Sequence, residues 1–240
     1  MSAYQTTLLG RTEVAEGTMA FQFEKPNNFV FRAGQYIDLT ISDTQAGPAI
    51  GLTHTFSIAS SPFDETLLVT TRMRNTVFKQ TLSILPIGSA ARIEGPMGSF
   101  GLHKNTAKPA VFLAGGIGIA PFLSVLSYAA GKRLRHSIFL FYANRHLEDA
   151  AFMDSLWKLE SVNPRFRFVP TLTRMANNNR RWNGRTGHIS SEMLVRRVGS
   201  LGGPIYYIAG PPTMVASTLR MLYQAGVDED DIRTEEFAGY

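Results

Sequence analysis

No cysteine occurs anywhere in the 240 residues. That excludes disulfides and every thiolate-ligated zinc or iron–sulfur centre within the chain, so an iron–sulfur centre that works with it sits on another protein. Residues 1–17 hold no apolar run of signal-peptide length, because Arg11, Glu13 and Glu16 interrupt it; the segment reads as untargeted and the protein as cytoplasmic. Metal ligands are also sparse. Of five histidines only His136 and His146 fall in one short segment, without helical ligand spacing, and no metal is expected. Nor is there a Ser-His-Asp arrangement for nucleophilic catalysis.

Charge is limited to 18% of residues, with a net value of +5. So mild an excess suits nucleic acid, an acidic partner protein or phosphate-bearing cofactors alike. The densest basic stretch contains Arg174, Arg180, Arg181 and Arg185, with one aromatic, Trp182, and no nucleic-acid motif. It reads as a solvated loop, and nucleic acid is not expected as a partner. From Ala110 to Ala130 there is no charge at all, between Lys108 and Lys132. Hydropathy alone would mark a membrane span. Gly115, Gly116, Gly118 and Pro121 punctuate the run instead, which predicts a buried strand over 111–114, a turn, and a helix over 121–130 with proline in its first turn. No transmembrane segment is expected.

What is present divides into two halves, each long enough for its own core. Up to residue 103 the apolar pattern has period two, as in Met19, Phe21 and Phe23 or in 36–41, with short strands set off by Gly, Pro and Asn. An antiparallel β-barrel is predicted, with a single helix over 78–85. After about residue 108, strand-like runs at 111–114, 138–143, 166–172 and 205–209 alternate with helical stretches at 121–130, 148–161 and 211–225, and 232–237 supplies a fifth strand. This predicts an α/β domain with a five-stranded parallel sheet, whose ligands bind at the carboxyl ends of the strands. The domains are placed at 1–103 and 104–240.

Two segments carry the chemistry. The turn from Gly115 to Pro121 joins a buried strand to a helix amino terminus, where free N–H groups and partial positive charge favour an anion. Alone it is either a phosphate cradle or a plain tight turn, since it is neither G-x-G-x-x-G nor a Walker sequence. The second segment is His54-Thr55-Phe56-Ser57, at the end of a barrel strand.

Together these segments resemble the ferredoxin-NADP reductase superfamily, whose members join an FAD-binding barrel to a nicotinamide-binding α/β domain. The family's Arg-x-Tyr-Ser flavin motif is matched at His54, Phe56 and Ser57, and its Gly-Gly-x-Gly-x-x-Pro turn at Gly115, Gly116, Gly118 and Pro121. Ala33 to Tyr36, Glu94 to Gly98, Tyr142 to Arg145 and Ala209 to Met214 match in order, so the similarity covers essentially the whole chain.

The resemblance implies FAD and NAD(P)H as cofactors and an enzyme that passes hydride to FAD and then electrons to a separate acceptor. That acceptor is a ferredoxin, a flavodoxin or the iron–sulfur component of an oxygenase; an alternative is an electron-transfer module active only in a larger complex. It implies that Ser57 hydrogen-bonds the flavin near its reactive nitrogen and that Phe56 lies against the flavin ring. Arg72, Thr76 and Lys79 become candidates for the flavin diphosphate. Gly210, Pro211, Thr213 and Met214 form the strand-end turn against the dinucleotide, while Thr173 and Arg174 are candidates for a 2′-phosphate. Phe237 and Tyr240 are candidates for an aromatic gate over the flavin, and Glu236 for a proton relay. Two positions depart from the family pattern. His54 stands where arginine is usual, which implies weaker diphosphate anchorage and flavin affinity that rises as the imidazole protonates. Ala209 stands where many members have cysteine, so no thiol acts beside the nicotinamide.

Overall fold

The computed structural model describes residues 2–42, 51–174, 182 and 184–237. Tyr240, Arg180 and Arg181 lie outside the described residues. The first half contains β1 (Ala3–Ala15), β2 (Thr18–Glu24), β3 (Tyr36–Ser42), β4 (Gly51–Ser57), β5 (Thr66–Arg72), α1 (Val77–Ile84) and β6 (Ala90–Met97). These strands form one antiparallel sheet in the order β4-β3-β6-β1-β2-β5. The sheet curls until Ile58, just past β4, forms a bridge with Val69 in the middle of the opposite outer strand, β5. Period two does the sorting: Ile37, Leu39 and Ile41 of β3 point inward and are buried, while Asp38 and Thr40 point outward. α1 closes the interior with Phe78 and Leu82, which pack among the inward side chains.

The second half contains β7 (Ala110–Gly115), α2 (Ile119–Gly131), β8 (Ile138–Asn144), α3 (Met153–Val162), β9 (Phe166–Leu172), β10 (Arg185–Thr186), α4 (Ser191–Val198), β11 (Ile205–Gly210), α5 (Pro212–Gln224) and β12 (Ile232–Glu236). All the pairings in this sheet are parallel, in the order β10-β9-β8-β7-β11-β12. The five predicted strands are present. A sixth, the two-residue β10, sits at the edge beside β9; two residues are too few to leave an apolar signature. Every residue of β7 and of β11 is buried, as strands covered on both faces require. The predicted helix over 148–161 begins later, at Met153, after Phe152 adopts a left-handed φ of 61°. Among the described residues no helix is long and apolar enough to cross a membrane.

The two halves share a core. Ala33, Ala59 and Phe100 from the barrel side pack with Phe122 and Leu123 of α2. Across the same junction the Ser124 hydroxyl donates to the Ser60 carbonyl at 2.6 Å, and the Glu16 N–H donates to the Glu148 carbonyl at 2.8 Å. Arg72, at the end of β5, forms an ion pair with Asp149 at 3.0 Å. These contacts fix the end of β4 against the carboxyl edge of the parallel sheet.

Candidate functional site

At that junction Ser57, the last residue of β4, is buried and its hydroxyl donates to Glu235 Oε1 of β12 at 3.0 Å. The other oxygen, Oε2, is buried without a partner among the described residues. Burial pushes the Glu235 carboxyl above its ordinary 4.5, and the Ser57 hydroxyl opposes this. Serine and carboxyl thus form a shielded pair poised to hold or release a proton. Glu236, the relay candidate of the sequence reading, is exposed. Alternation along β12 explains the correction: adjacent residues face opposite sides of the sheet, so only one of two neighbouring glutamates can reach Ser57. The C-terminal spacing alone left that register open. Phe237 follows at once, half-buried, its N–H donating to the Gly210 carbonyl at 3.0 Å. It therefore stands beside the strand-end turn, while its companion gate candidate, Tyr240, lies outside the described residues.

Along β4, Thr55 faces outward with Asp38 beneath its hydroxyl, whereas His54 and Phe56 share the inward face. Phe56 pairs in register with the inward Ile37 and is only 4% exposed. Its ring lies 4.8 Å from that of His54 and 5.7 Å from that of Phe78. The expected open aromatic face is therefore covered by the barrel's own side chains. Burial, aided by the Lys79 ammonium, holds the His54 imidazole below its ordinary 6.5.

Lys79 is itself buried, with its ammonium on the Arg72 carbonyl at 2.9 Å. No carboxylate pairs with Lys79 among the described residues, and burial with Arg74 nearby lowers its pKa. Thr76 does not stand free: its oxygen caps α1 by accepting the Lys79 N–H. Arg72 is likewise engaged, by Asp149. Burial works against ionisation of Asp149, but Arg72 and His146 together hold its carboxyl below the usual range. Arg72, Arg74 and Lys79, with the His54 imidazole beside them, thus surround the start of α1 against two carboxylates, Asp149 on Arg72 and Asp38 near His54, a net positive setting that fits a diphosphate.

The second anion setting is built from backbone. α2 and α5 start at the carboxyl ends of the neighbouring strands β7 and β11, and neither has a side-chain cap or an acidic residue in its first turn. Their positive dipole ends are open to a ligand, although the Ile119 N–H bonds the Gly116 and Ile117 carbonyls, Pro212 has no N–H and the Met214 N–H bonds the Pro211 carbonyl. Gly116 has φ +52°, and a Cβ there would meet nothing within 4 Å, so the turn opens onto free space. Gly118 serves packing: a Cβ there would lie 2.2 Å from the Ala209 carbonyl oxygen, so only glycine lets α2 start flush against β11. Pro121 is buried within the first turn of α2, and Ala209 is wholly buried. In α5 Thr213 is exposed, and Met214 folds back over Gly115 and Gly210.

Thr173 and Arg174 follow β9 and are tied to the end of β8 by N–H donation to the carbonyls of Asn144 at 2.8 Å and Arg145 at 3.0 Å. No acidic residue occupies either strand tip, where the chain reads Asn144-Arg145 and Thr173-Arg174. This leaves the sheet edge without the carboxylate that commonly holds ribose hydroxyls.

A family model described as an FAD-binding domain matches residues 7–119, and one described as an oxidoreductase NAD-binding domain matches residues 112–220. The two matches, in this order over residues 7–220, support the ferredoxin-NADP reductase superfamily. The phenol hydroxylase P5 protein of Acinetobacter pittii (strain PHEA-2) is 28% identical over 98% of this chain. Ferredoxin–NADP reductase B of Sorangium cellulosum (strain So ce56) is 27% identical over 91% of this chain and 90% of its own length. A ferredoxin NADP+ reductase from Neisseria gonorrhoeae, solved with bound FAD and NADP, superposes with a TM-score of 0.81 at 21% identity, covering 98% of both chains. The chain spans 65% of the length of the P5 protein, and 58% and 38% of two further curated relatives. The superfamily places its flavin domain first and its nicotinamide domain second, the order in which the barrel and the parallel sheet occur here.

Proposed function

We propose that the chain is a flavin-dependent reductase that takes hydride from NAD(P)H and passes electrons to a separate protein acceptor, a ferredoxin, a flavodoxin or an oxygenase component. On this reading residues 1–103 are the flavin unit and 104–240 the nicotinamide unit, and the protein acts in the cytoplasm, a location that suits a cysteine-free chain. The observation that carries the reading is the convergence at Ser57: the end of the barrel strand β4, the carboxyl of Glu235 and the Phe237 backbone meet beside the uncapped helix starts.

The bound flavin supplies the chemistry that accepts hydride and releases electrons one at a time. The chain's own residues place it and manage its proton. His54, Lys79 and the start of α1 take the diphosphate of FAD. Ser57 offers a short hydroxyl at the ring, and Glu235 behind it holds or accepts the proton, a task for which a raised pKa suits it. The starts of α2 and α5 take the nicotinamide diphosphate, with Gly116 admitting its close approach. Thr173 and Arg174 receive the adenosine end. Phe237, beside Gly210, is the aromatic side chain that would cover the flavin.

The test is a visible spectrum of the purified protein, followed by anaerobic addition of NADH and of NADPH. Flavin absorbance that bleaches within seconds supports the reading; purified protein that neither retains nor binds FAD overturns it. The partial coverage of the oxygenase-reductase relatives favours a second reading, in which the chain is one module of a larger assembly. Then the flavin binds, but the isolated chain does not turn over ferricyanide with either coenzyme.

A further inference from the structure

A cleft of about 1020 Å³ opens between the two halves on the outer side of Glu235. It is not the coenzyme cradle. Its α/β wall runs from Val125 and Tyr128 of α2 to Leu134 and His136 beyond that helix and to Arg233 and Glu235 of β12, with no residue of the Gly115–Pro121 turn or of the start of α5. It meets the candidate site at Glu235. The start of α1, with Lys79 and His54, is also absent from the lining.

Two properties define what the cleft can take. First, much of its wall is aromatic or aliphatic, with Phe31, Phe100, Tyr128 and Leu134 facing the space. Second, it carries uncompensated positive charge. Arg233 is stacked over the Tyr207 ring at 5.1 Å and spends one nitrogen on the Tyr207 hydroxyl and the Gly101 carbonyl, at 2.6 and 3.2 Å. Among the described residues it makes no ion pair, and the exposed Arg32 and Lys104 at the rim make none. The one carboxyl in the lining is that of Glu235. An apolar wall and an anchored guanidinium without a carboxylate partner together make a ligand site rather than a simple seam between domains.

We propose that this cleft binds a planar aromatic carboxylate, its ring against the apolar wall and its carboxylate on Arg233 with support from Lys104. The ligand covers the outer side of Glu235 and leaves the coenzyme cradle free, so it binds alongside NAD(P)H. The site shares Glu235 with the proposed redox centre, but ligand binding is read by heat and flavin reduction by absorbance, so the two can fail separately.

The test is calorimetric titration of the FAD-loaded protein with 2-naphthoate. One site per chain is expected, unaffected by saturating NADP+. Arg233→Gln should weaken binding roughly tenfold and Lys104→Gln about threefold, the latter at an exposed rim residue whose loss leaves the fold intact. Leu134→Trp, which fills the cleft, should abolish binding with the flavin spectrum unchanged. Absence of saturable binding at millimolar probe overturns the proposal. So does binding that NADP+ displaces, or that survives Lys104→Gln and Leu134→Trp undiminished.

Discussion

Replacing Ser57 by alanine removes the one hydrogen-bond donor that the Glu235 carboxyl has among the described residues. A hydrogen bond to a charged group is worth about 1.5–3 kcal/mol, and one between neutral groups about 0.5–1.5 kcal/mol. The hydroxyl therefore favours the ionised carboxyl over the protonated one by about 1 kcal/mol, close to one pKa unit at ~1.36 kcal/mol per unit. Burial already holds this pKa above 4.5, and Ser57→Ala moves it further in the same direction. A carboxyl whose folded pKa exceeds its unfolded value contributes in full below the unfolded pKa, and that contribution is lost as pH rises through the folded pKa. Ser57→Ala should thus cost about 1 kcal/mol at pH 4 and about 1 kcal/mol more at pH 8. Urea unfolding of the flavin-free protein at both pH values measures this, with Glu235→Gln as the background in which the extra cost at pH 8 disappears. A penalty that is equal at the two pH values, or one that keeps its pH dependence in the Glu235→Gln background, refutes the reasoning.

Three further outcomes follow from the same geometry. Gly118→Ala forces a Cβ to within 2.2 Å of the Ala209 carbonyl oxygen and should cost about 3 kcal/mol in urea unfolding, whereas Gly116→Ala meets open space and pays only about 1 kcal/mol for its positive φ while blocking the diphosphate approach, so its NADP+ dissociation constant should rise at least about tenfold. A double-mutant cycle on Arg72→Ala and Asp149→Ala should give a coupling of about 0.2–1 kcal/mol that shrinks in high salt, since Arg72 is partly exposed; zero coupling at low salt would remove this ion pair from the domain junction. FAD affinity measured from pH 5 to 8 should be flat above 6.5 and tighten only below it, because burial and Lys79 keep the His54 imidazole neutral, and His54→Gln should remove the change.

The architecture was legible because two periodicities divide the chain cleanly. Alternation in 19–23 and 36–41 marks half-buried strands, and the uninterrupted apolar runs of β7 and β11 mark strands buried on both faces. The glycine-rich turn was legible for the same reason: a buried strand followed by Gly115 to Pro121 allows little but a strand-to-helix turn. Pairings between distant residues were not. Nothing local to Arg72 says that Asp149 neutralises it, and the cap made by Thr76 needs the exact start of α1 to be known. β10 was missed because its two residues are held by the neighbour β9 rather than by their own pattern. Phe56 reads the same on paper as flavin platform or as core; only its register opposite Ile37 shows it turned inward.

The exchange of Glu236 for Glu235 shows where side-chain chemistry depends on strand register. Parallel pairing sets Ala209 opposite Glu235 and Gly210 opposite Glu236, and the same ladder brings Phe237 onto the Gly210 carbonyl. A slip of one residue would turn Glu235 to solvent and offer Ser57 the side of β12 that now carries Thr234 and Glu236. What prevents the slip is the inward face of β12 itself. Arg233, two residues before Glu235 and on the same side, is stacked on Tyr207 and bonded to Gly101, so moving the strand would break both contacts at once. The cation that lines the outer cleft thereby also keeps the carboxyl beneath Ser57. Arg233→Gln should therefore loosen the Ser57–Glu235 pair even without a ligand, so that Ser57→Ala costs less at pH 8 in that background than in the parent protein.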